Sequence, residues 1–315
     1  MSWRISLAAL LMAFTACKGT PEPEVEAIAV WAYANPTALI EVGELAENMG
    51  RTDLKLVDFR KKPAFEAGHI PGAVQLWRPD IEDHEGAVPG LMAGKEALEA
   101  LLSSLGIAET DTLIIYDDEA GCNAARLWWV LQAHGYDRIR LLNGGVQAWT
   151  EAGQDMTTEL PTPVPATFRF PETGNPGSGI QASELLARLG EPDLVILDTR
   201  TPEEYSGLRQ KSGAVRAGHI PGSLNRDWAG ATHYNQDKRF KSPEDLYKRY
   251  GFLMENDSAD VVAYCHSGVR SAHTYFVLTQ LLGHNRVRNF DGSWLEWSMR
   301  EDAPIQQDSL TQIFN

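Results

Sequence analysis

Between residues 261 and 278 the chain reads VVAYCHSGVRSAHTYFVL: an apolar run ending on Cys265, a short loop, Arg270, then a helical pattern. A thiol carried to the end of a strand, with a tight turn at Gly268 and a helix opening near Arg270 and Ser271, faces unpaired backbone N–H groups and the positive end of the helix dipole. Such surroundings favour the thiolate, which is the nucleophilic form. Arg270 adds a fixed charge on a planar fork suited to oxyanions. The pattern therefore predicts an anionic substrate with an electrophile soft enough for sulfur.

The elements that must position this loop come from an internal duplication. AGHIPGAV at 67–74 recurs as AGHIPGSL at 217–224, and LVDFR recurs as ILDTR, so that Asp58 matches Asp198, Arg60 matches Arg200 and His69 matches His219. Further along, one constant offset pairs Tyr116 with Tyr264, Ala124 with Ala272, Gly135 with Gly283, Gly144 with Gly292 and Trp149 with Trp297. The period is too long for a solenoid and describes a duplicated domain. In this register Asp117 lies under Cys265 and Cys122 under Arg270, so one copy keeps the chemistry and the other has lost it. An insertion within SGLRQKSGAVR occurs in the second copy only and brings Arg209, Lys211 and Arg216. It reads either as a solvated charge cluster or as an attribute of the active copy.

Features present in both copies read as architecture. The two histidines of GHIPG take a structural turn role. Asp198 and Arg200 form a buried ion pair at a strand end, with a supporting role for the active loop. The LWW run at 127–129 and Trp294 and Trp297 are read as packing residues. Short β-rich runs (LKLVDFR, TLIIYD, IRLL; DLVILDTR, VVAYC, RVRNF) alternate with helical stretches, which predicts an α/β fold of two tandem domains, each a mainly parallel sheet flanked by helices. Ligands in such sheets bind beyond the carboxyl ends of the strands, where Cys265 stands. The boundaries expected are 35–155 for the inactive domain, a Pro- and Gly-rich linker at 156–177 in which ATFRF adds an edge strand, and 178–306 for the catalytic domain.

The net charge of −15, from 28 Lys and Arg against 43 Asp and Glu in 315 residues, argues against a nucleic-acid partner. It also means that an anionic substrate must be drawn in by a local positive patch. No Cys/His cluster has ligand spacing, so neither a metal nor an organic cofactor is expected. Three cysteines occur, Cys17, Cys122 and Cys265. A structural disulfide between the last two would consume the nucleophile. At the start of the chain, MSWRISLAALLMAFTAC has a positive residue, an apolar run too short to span a bilayer comfortably and small residues before Cys17. It reads as an export signal (1–17) followed by a tether (18–34). FTAC resembles the lipobox of bacterial lipoproteins, with Phe14 in place of the usual Leu, which implies acylation of Cys17, a periplasm-facing lipid anchor, and sorting to an outer membrane through Lys18. Ordinary secretion and an uncleaved anchor are the alternatives.

GHIPGA, GHIPGS, CHSGVR and NFDGSWLEW together, over about Asn35 to Ile305, resemble the tandem-domain rhodaneses, the thiosulfate sulfurtransferase family. The resemblance implies Cys265 as the persulfide-forming nucleophile and His266, Ser267, Gly268, Val269 and Arg270 as the loop that cradles the donor. It further implies transfer of a sulfane sulfur from thiosulfate to cyanide or another thiophilic acceptor; a monomer is expected. A Cys-x4-Arg loop is one residue shorter than the Cys-x5-Arg loop of phosphatases and suits a single large sulfur atom. Arg270 resembles the thiosulfate type of loop rather than the mercaptopyruvate type, which ends in Thr, while His266 departs from both. The alternatives are 3-mercaptopyruvate as donor, or a persulfide carrier that docks to a partner protein and turns over small molecules poorly.

Overall fold

Alternating apolar runs and amphipathic stretches fold into two equivalent α/β layers in the computed structural model, which describes residues 31–255 and 258–308. The first copy has strands β1 (Leu39–Ile40), β2 (Leu54–Asp58), β3 (Val74–Gln75), β4 (Thr112–Tyr116) and β5 (Ile139–Leu142). Its helices are α1 (Val42–Asn48), α2 (Lys62–Ala67), α3 (Lys95–Ser104), α4 (Cys122–Ala133) and α5 (Gly145–Glu151). The second copy repeats this with β6 (Gly179–Ile180), β7 (Leu194–Asp198), β8 (Leu224–Asn225), β9 (Asp260–Tyr264) and β10 (Val287–Phe290). Its helices are α6 (Ala182–Ala187), α7 (Pro202–Ser206), α8 (Pro243–Met254), α9 (Val269–Phe276) and α10 (Ser293–Met299).

The strand orders are β1-β5-β4-β2-β3 and β6-β10-β9-β7-β8. Every pairing within the two sheets is parallel. Sheets covered on both faces bury both sides of their strands, which is why the central strands read as unbroken apolar runs: Leu113 to Tyr116 in β4 and Val261 to Tyr264 in β9 are all fully buried. Cys265 follows directly on β9, at the carboxyl edge of the sheet's middle strand.

The ATFRF run does not form the expected edge strand. Its backbone instead docks on α3: the Phe168 N–H donates to Ser103 Oγ at 3.0 Å and the Phe170 N–H to Glu99 Oε1 at 2.9 Å. Phe168 and Phe170 are buried, so their alternation with Arg169 reflects packing on a helix rather than a pleat. The core also departs from two independent interiors. Each copy keeps a cluster of its own on one face of its sheet, but the largest cluster runs through both copies. At its centre α4 meets α9, with Trp128 edge-on to Phe276 at 4.9 Å and 87°. Trp129, fully buried, donates from Nε1 to the Ser178 carbonyl. Among the described residues, those from Ala32 to Asp308 belong to one compact unit. This pairing brings the loops that open α4 and α9 together. Among the described residues no helix is long and apolar enough to cross a membrane.

Candidate active site

The GHIPG motif fastens each sheet edge in the same way. Arg200 chelates Asp198 with Nε and Nη2 and reaches the Gly218 carbonyl at 2.7 Å. Arg60 repeats the arrangement with Asp58 and the Gly68 carbonyl. The Tyr264 hydroxyl donates to Asp198 at 2.6 Å, which ties the end of β9 to β7. His219 stacks on Tyr205 at 3.7 Å and His69 on Phe65 at 3.7 Å, both histidines fully buried and bonded to main-chain carbonyls. In the second copy alone, the Arg200 guanidinium also lies over the Trp294 ring at 4.4 Å. Asp198 and Arg200 thus stand beneath the Cys265 loop and do not line the cavity above it.

The loop after β9 is held from below. Ser293 Oγ accepts the Cys265 N–H at 3.1 Å and the Gly268 N–H at 3.0 Å while donating to the Phe290 carbonyl at 2.7 Å. The N–H groups of Trp294 and Leu295 bond the carbonyls of Cys265 and His266. Ser293 does this at φ +49°, a left-handed conformation uncommon outside glycine. In the first copy the equivalent residue is Gly145, at φ +58°. Gly268 has φ +73°, and a Cβ there would lie 2.5 Å from Asp291 Oδ1, so the turn admits glycine. Asp291 is in turn paired with Arg126 of α4 at 2.5 Å. The first copy thereby supports the active loop of the second through a buried ion pair.

Cys265 Sγ is almost fully buried and accepts the Ser271 hydroxyl at 3.5 Å. Burial alone would raise this thiol. The Arg270 guanidinium, the Ser271 hydroxyl and the N–H groups of Ser271 and Ser267 outweigh it and hold the thiol below its ordinary value. His266 donates from Nε2 to the Ser212 carbonyl in the insertion, and burial with the nearby Lys211 and Arg270 charges lowers it to about 4, so the ring is neutral. Cys122 is also buried and free, and burial drives its thiol upward. No disulfide joins it to Cys265.

A cavity of about 420 Å³ opens over this loop. Cys265, His266, Ser267, Val269 and Arg270 line it from the second copy, and Lys61, Arg78, Cys122, Asn123 and the acidic pair Asp118 and Glu119 from the first; Gly268 lies behind. The insertion divides by role. Lys211 lines the cavity, its amine lowered by burial and by Arg270. Arg216 turns away, its guanidinium bonding the carbonyls of Trp297, Ser298, Arg300 and Ala303 at the end of α10. Arg209 is exposed.

Two features escape the sequence pattern. Arg270 is not a free cation: its Nη1 and Nη2 meet Glu204 Oε2 and Oε1 at 2.6 and 2.9 Å. Burial would raise that carboxyl, but Arg270 overrides it and Glu204 falls to about 2. Thr201 and Glu204 form a capping box on α7, a signal that marks a helix start and is silent about a partner far along the chain. The second feature is Asp117, in the place of Cys265. Its carboxylate accepts the N–H groups of Glu119, Gly121, Asn123 and Ala124 at 2.7 to 3.0 Å. Burial pushes this carboxyl up and the N–H groups pull it down, so the first copy fills with a side chain of its own the place that Cys265 takes in the second.

The rhodanese-like domain pattern matches the chain twice, over residues 41–152 and 181–300. A thiosulfate sulfurtransferase of Corynebacterium glutamicum is 35% identical over 289 residues, 89% of this chain and 94% of that protein. The sulfur carrier protein TtuD of Thermus thermophilus is 34% identical over 283 residues, 87% of this chain and 98% of its own length. Among solved structures, the anaerobic ergothioneine biosynthesis enzyme of Chlorobium limicola superposes with a TM-score of 0.75 at 24% identity, covering 88% of this chain and 72% of that one, a likeness of fold. The duplicated sheets, the paired GHIPG motifs and these matches make the chain a member of the rhodanese family.

Proposed function

We propose that the protein is a thiosulfate sulfurtransferase in which Cys265 carries the sulfur. The Cys265 thiolate attacks the outer sulfur of thiosulfate; the S–S bond of the donor breaks and sulfite leaves with the electron pair, so that a persulfide remains on Cys265. Cyanide or another thiophile then attacks the outer sulfur and returns the thiolate. The observation that carries this reading is the contrast at one position of the two copies. Of the four N–H groups that hold the Asp117 carboxylate, those of Glu119 and Asn123 recur as Ser267 and Ser271, which face a thiol kept below its ordinary value. In that cradle the transferred sulfur of an anionic persulfide would meet the same kind of donors. Thiocyanate release from thiosulfate and cyanide tests it. Cys265→Ser should abolish release and Cys122→Ser should keep most of it; loss in the Cys122 variant with the fold intact would replace this with a two-thiol mechanism.

The Thermus relative, named a sulfur carrier protein, favours a second reading in which the persulfide is handed to a protein thiol. That reading expects a stable persulfide with negligible thiocyanate release. Parallel initial rates with thiosulfate and 3-mercaptopyruvate fix the donor. The proposed setting is an exported monomer anchored through an acylated Cys17. Cys17 and the segment before Trp31 lie outside the described residues; a Cys17→Ser variant that still partitions with membranes after a salt wash would overturn the anchor.

A further inference from the structure

Arg270 spends both ends of its fork on Glu204. It lowers the Cys265 thiol through space, but the Nη1–Nη2 side of its fork, which would grip an oxyanion with two parallel bonds, is already taken by a buried carboxylate. The oxyanion end of a donor then needs a further partner in a protein of net charge −15. The cavity offers one from the opposite wall. Arg78 opens a short turn at the end of the β3 segment in the first copy, and its partner is neutral: Nε donates to Asn123 Oδ1 at 2.9 Å, and Nη2 bonds the same oxygen. Among the described residues no carboxylate pairs with it, and Nη1 has no bond to the protein. Asn123 is itself 2% exposed and fixed on the first turn of α4, so the guanidinium is held rather than left to wander.

The internal symmetry singles out this position. Counting from the GHIPG histidines, Arg78 corresponds to Trp228, which opens the matching turn of the second copy and lines the cavity too. Asn123 corresponds to Ser271, whose hydroxyl faces Cys265. The turn itself therefore tolerates an aromatic residue, and only the copy facing the nucleophile from across the interface places a cation there. Lys211 stands on the same cavity as a point charge on an exposed side chain, its amine partly buried.

We infer that Arg78 is a substrate-binding residue of the active cavity: the first copy, without a nucleophile of its own, supplies the guanidinium that takes the oxyanion end of the sulfur donor while Cys265 of the second copy attacks its sulfur. This rests on reading the cavity as a sulfur-donor site, and its test is arranged to fail separately. The alkylation rate of Cys265, followed on its own peptide by mass spectrometry, is compared for iodoacetate and iodoacetamide, near-isosteres that differ in charge. In Arg78→Gln the iodoacetate rate should fall about tenfold relative to iodoacetamide, as expected for a lost charge-assisted hydrogen bond, with Arg78→Lys between the two. The iodoacetamide rate, which reports the loop and its thiolate, should stay as in the parent. The KM for thiosulfate should rise by a similar factor with little change in kcat. A fall in the alkylation ratio in a protein whose Cys265 takes no sulfur from thiosulfate would sustain the anion subsite and remove thiosulfate as its occupant. A ratio and KM unchanged in Arg78→Gln would overturn the inference.

Discussion

The loops after β4 and β9 start from the same backbone plan and end with opposite chemistry. Ala120 stands at φ +53° where Gly268 stands at φ +73°, and each loop feeds a helix that runs into the shared core. In the first copy the cradle is filled from within by the Asp117 carboxylate, and the residue beneath is glycine. In the second, the side chain at the rim is a thiol and the residue beneath is Ser293, whose hydroxyl receives two loop N–H groups. A side chain that satisfies the cradle makes a structural loop. One that leaves the donors available, with a positive charge behind it, makes a reactive one.

The comparison can be broken at its hinge. Arg126 reaches from the inactive copy to Asp291 beneath the active loop, and Arg126→Leu leaves a carboxylate without its partner in a site where the arginine was 1% exposed. Loss of one partner of a buried pair predicts destabilisation of about 3 kcal/mol, read as a lower midpoint in denaturant, together with slower alkylation of Cys265. Unchanged stability would mean that the shared core, and not this ion pair, joins the two copies. Asp117→Asn tests the filled cradle. The amide cannot accept from all four donors, so stability should drop by roughly 1 to 3 kcal/mol while the Cys265 alkylation rate holds.

Ser293→Gly copies the Gly145 of the first loop into the second. It relieves the positive φ but removes the acceptor of two N–H groups, and sulfur transfer should slow about tenfold, the equivalent of one net hydrogen bond; a faster enzyme would show that Ser293 is merely strained. The smallest effect is expected at Glu204. Its carboxyl titrates near 2 in the fold and in the ordinary range when unfolded. Its contribution to stability is thus complete above the ordinary carboxylate range and is lost as pH falls toward 2. Glu204→Gln should flatten the stability profile across that window. It should also lower the alkylation midpoint of Cys265, since Arg270 would then act unopposed.

Much of this was legible before any coordinates. The duplication, the parallel α/β layers, the position of Cys265 at a strand end and the structural part played by His69, His219, Asp198 and Arg200 all follow from local pattern and from comparing the copies. What was hidden depends on contacts distant in sequence. Glu204 meets Arg270 across 66 residues, Arg126 meets Asp291 across 165, and Arg78 faces Cys265 only because α4 packs on α9. The shared core was hidden for the same reason: a helix pattern such as AARLWWVLQA states that a face is buried, not which copy buries it. ATFRF misled because alternation of aromatic and polar residues fits a segment lying on a helix as well as a strand.

The central claim is that sulfur is accepted at one copy only, where the cradle is left open. Mass spectrometry of the cysteine-containing peptides after exposure to thiosulfate tests it most directly. The account predicts the added mass of one sulfur atom on Cys265 in the parent and in Cys122→Ser, and none anywhere in Cys265→Ser. Sulfur found on Cys122, or a parent protein that gains none on Cys265, would contradict it.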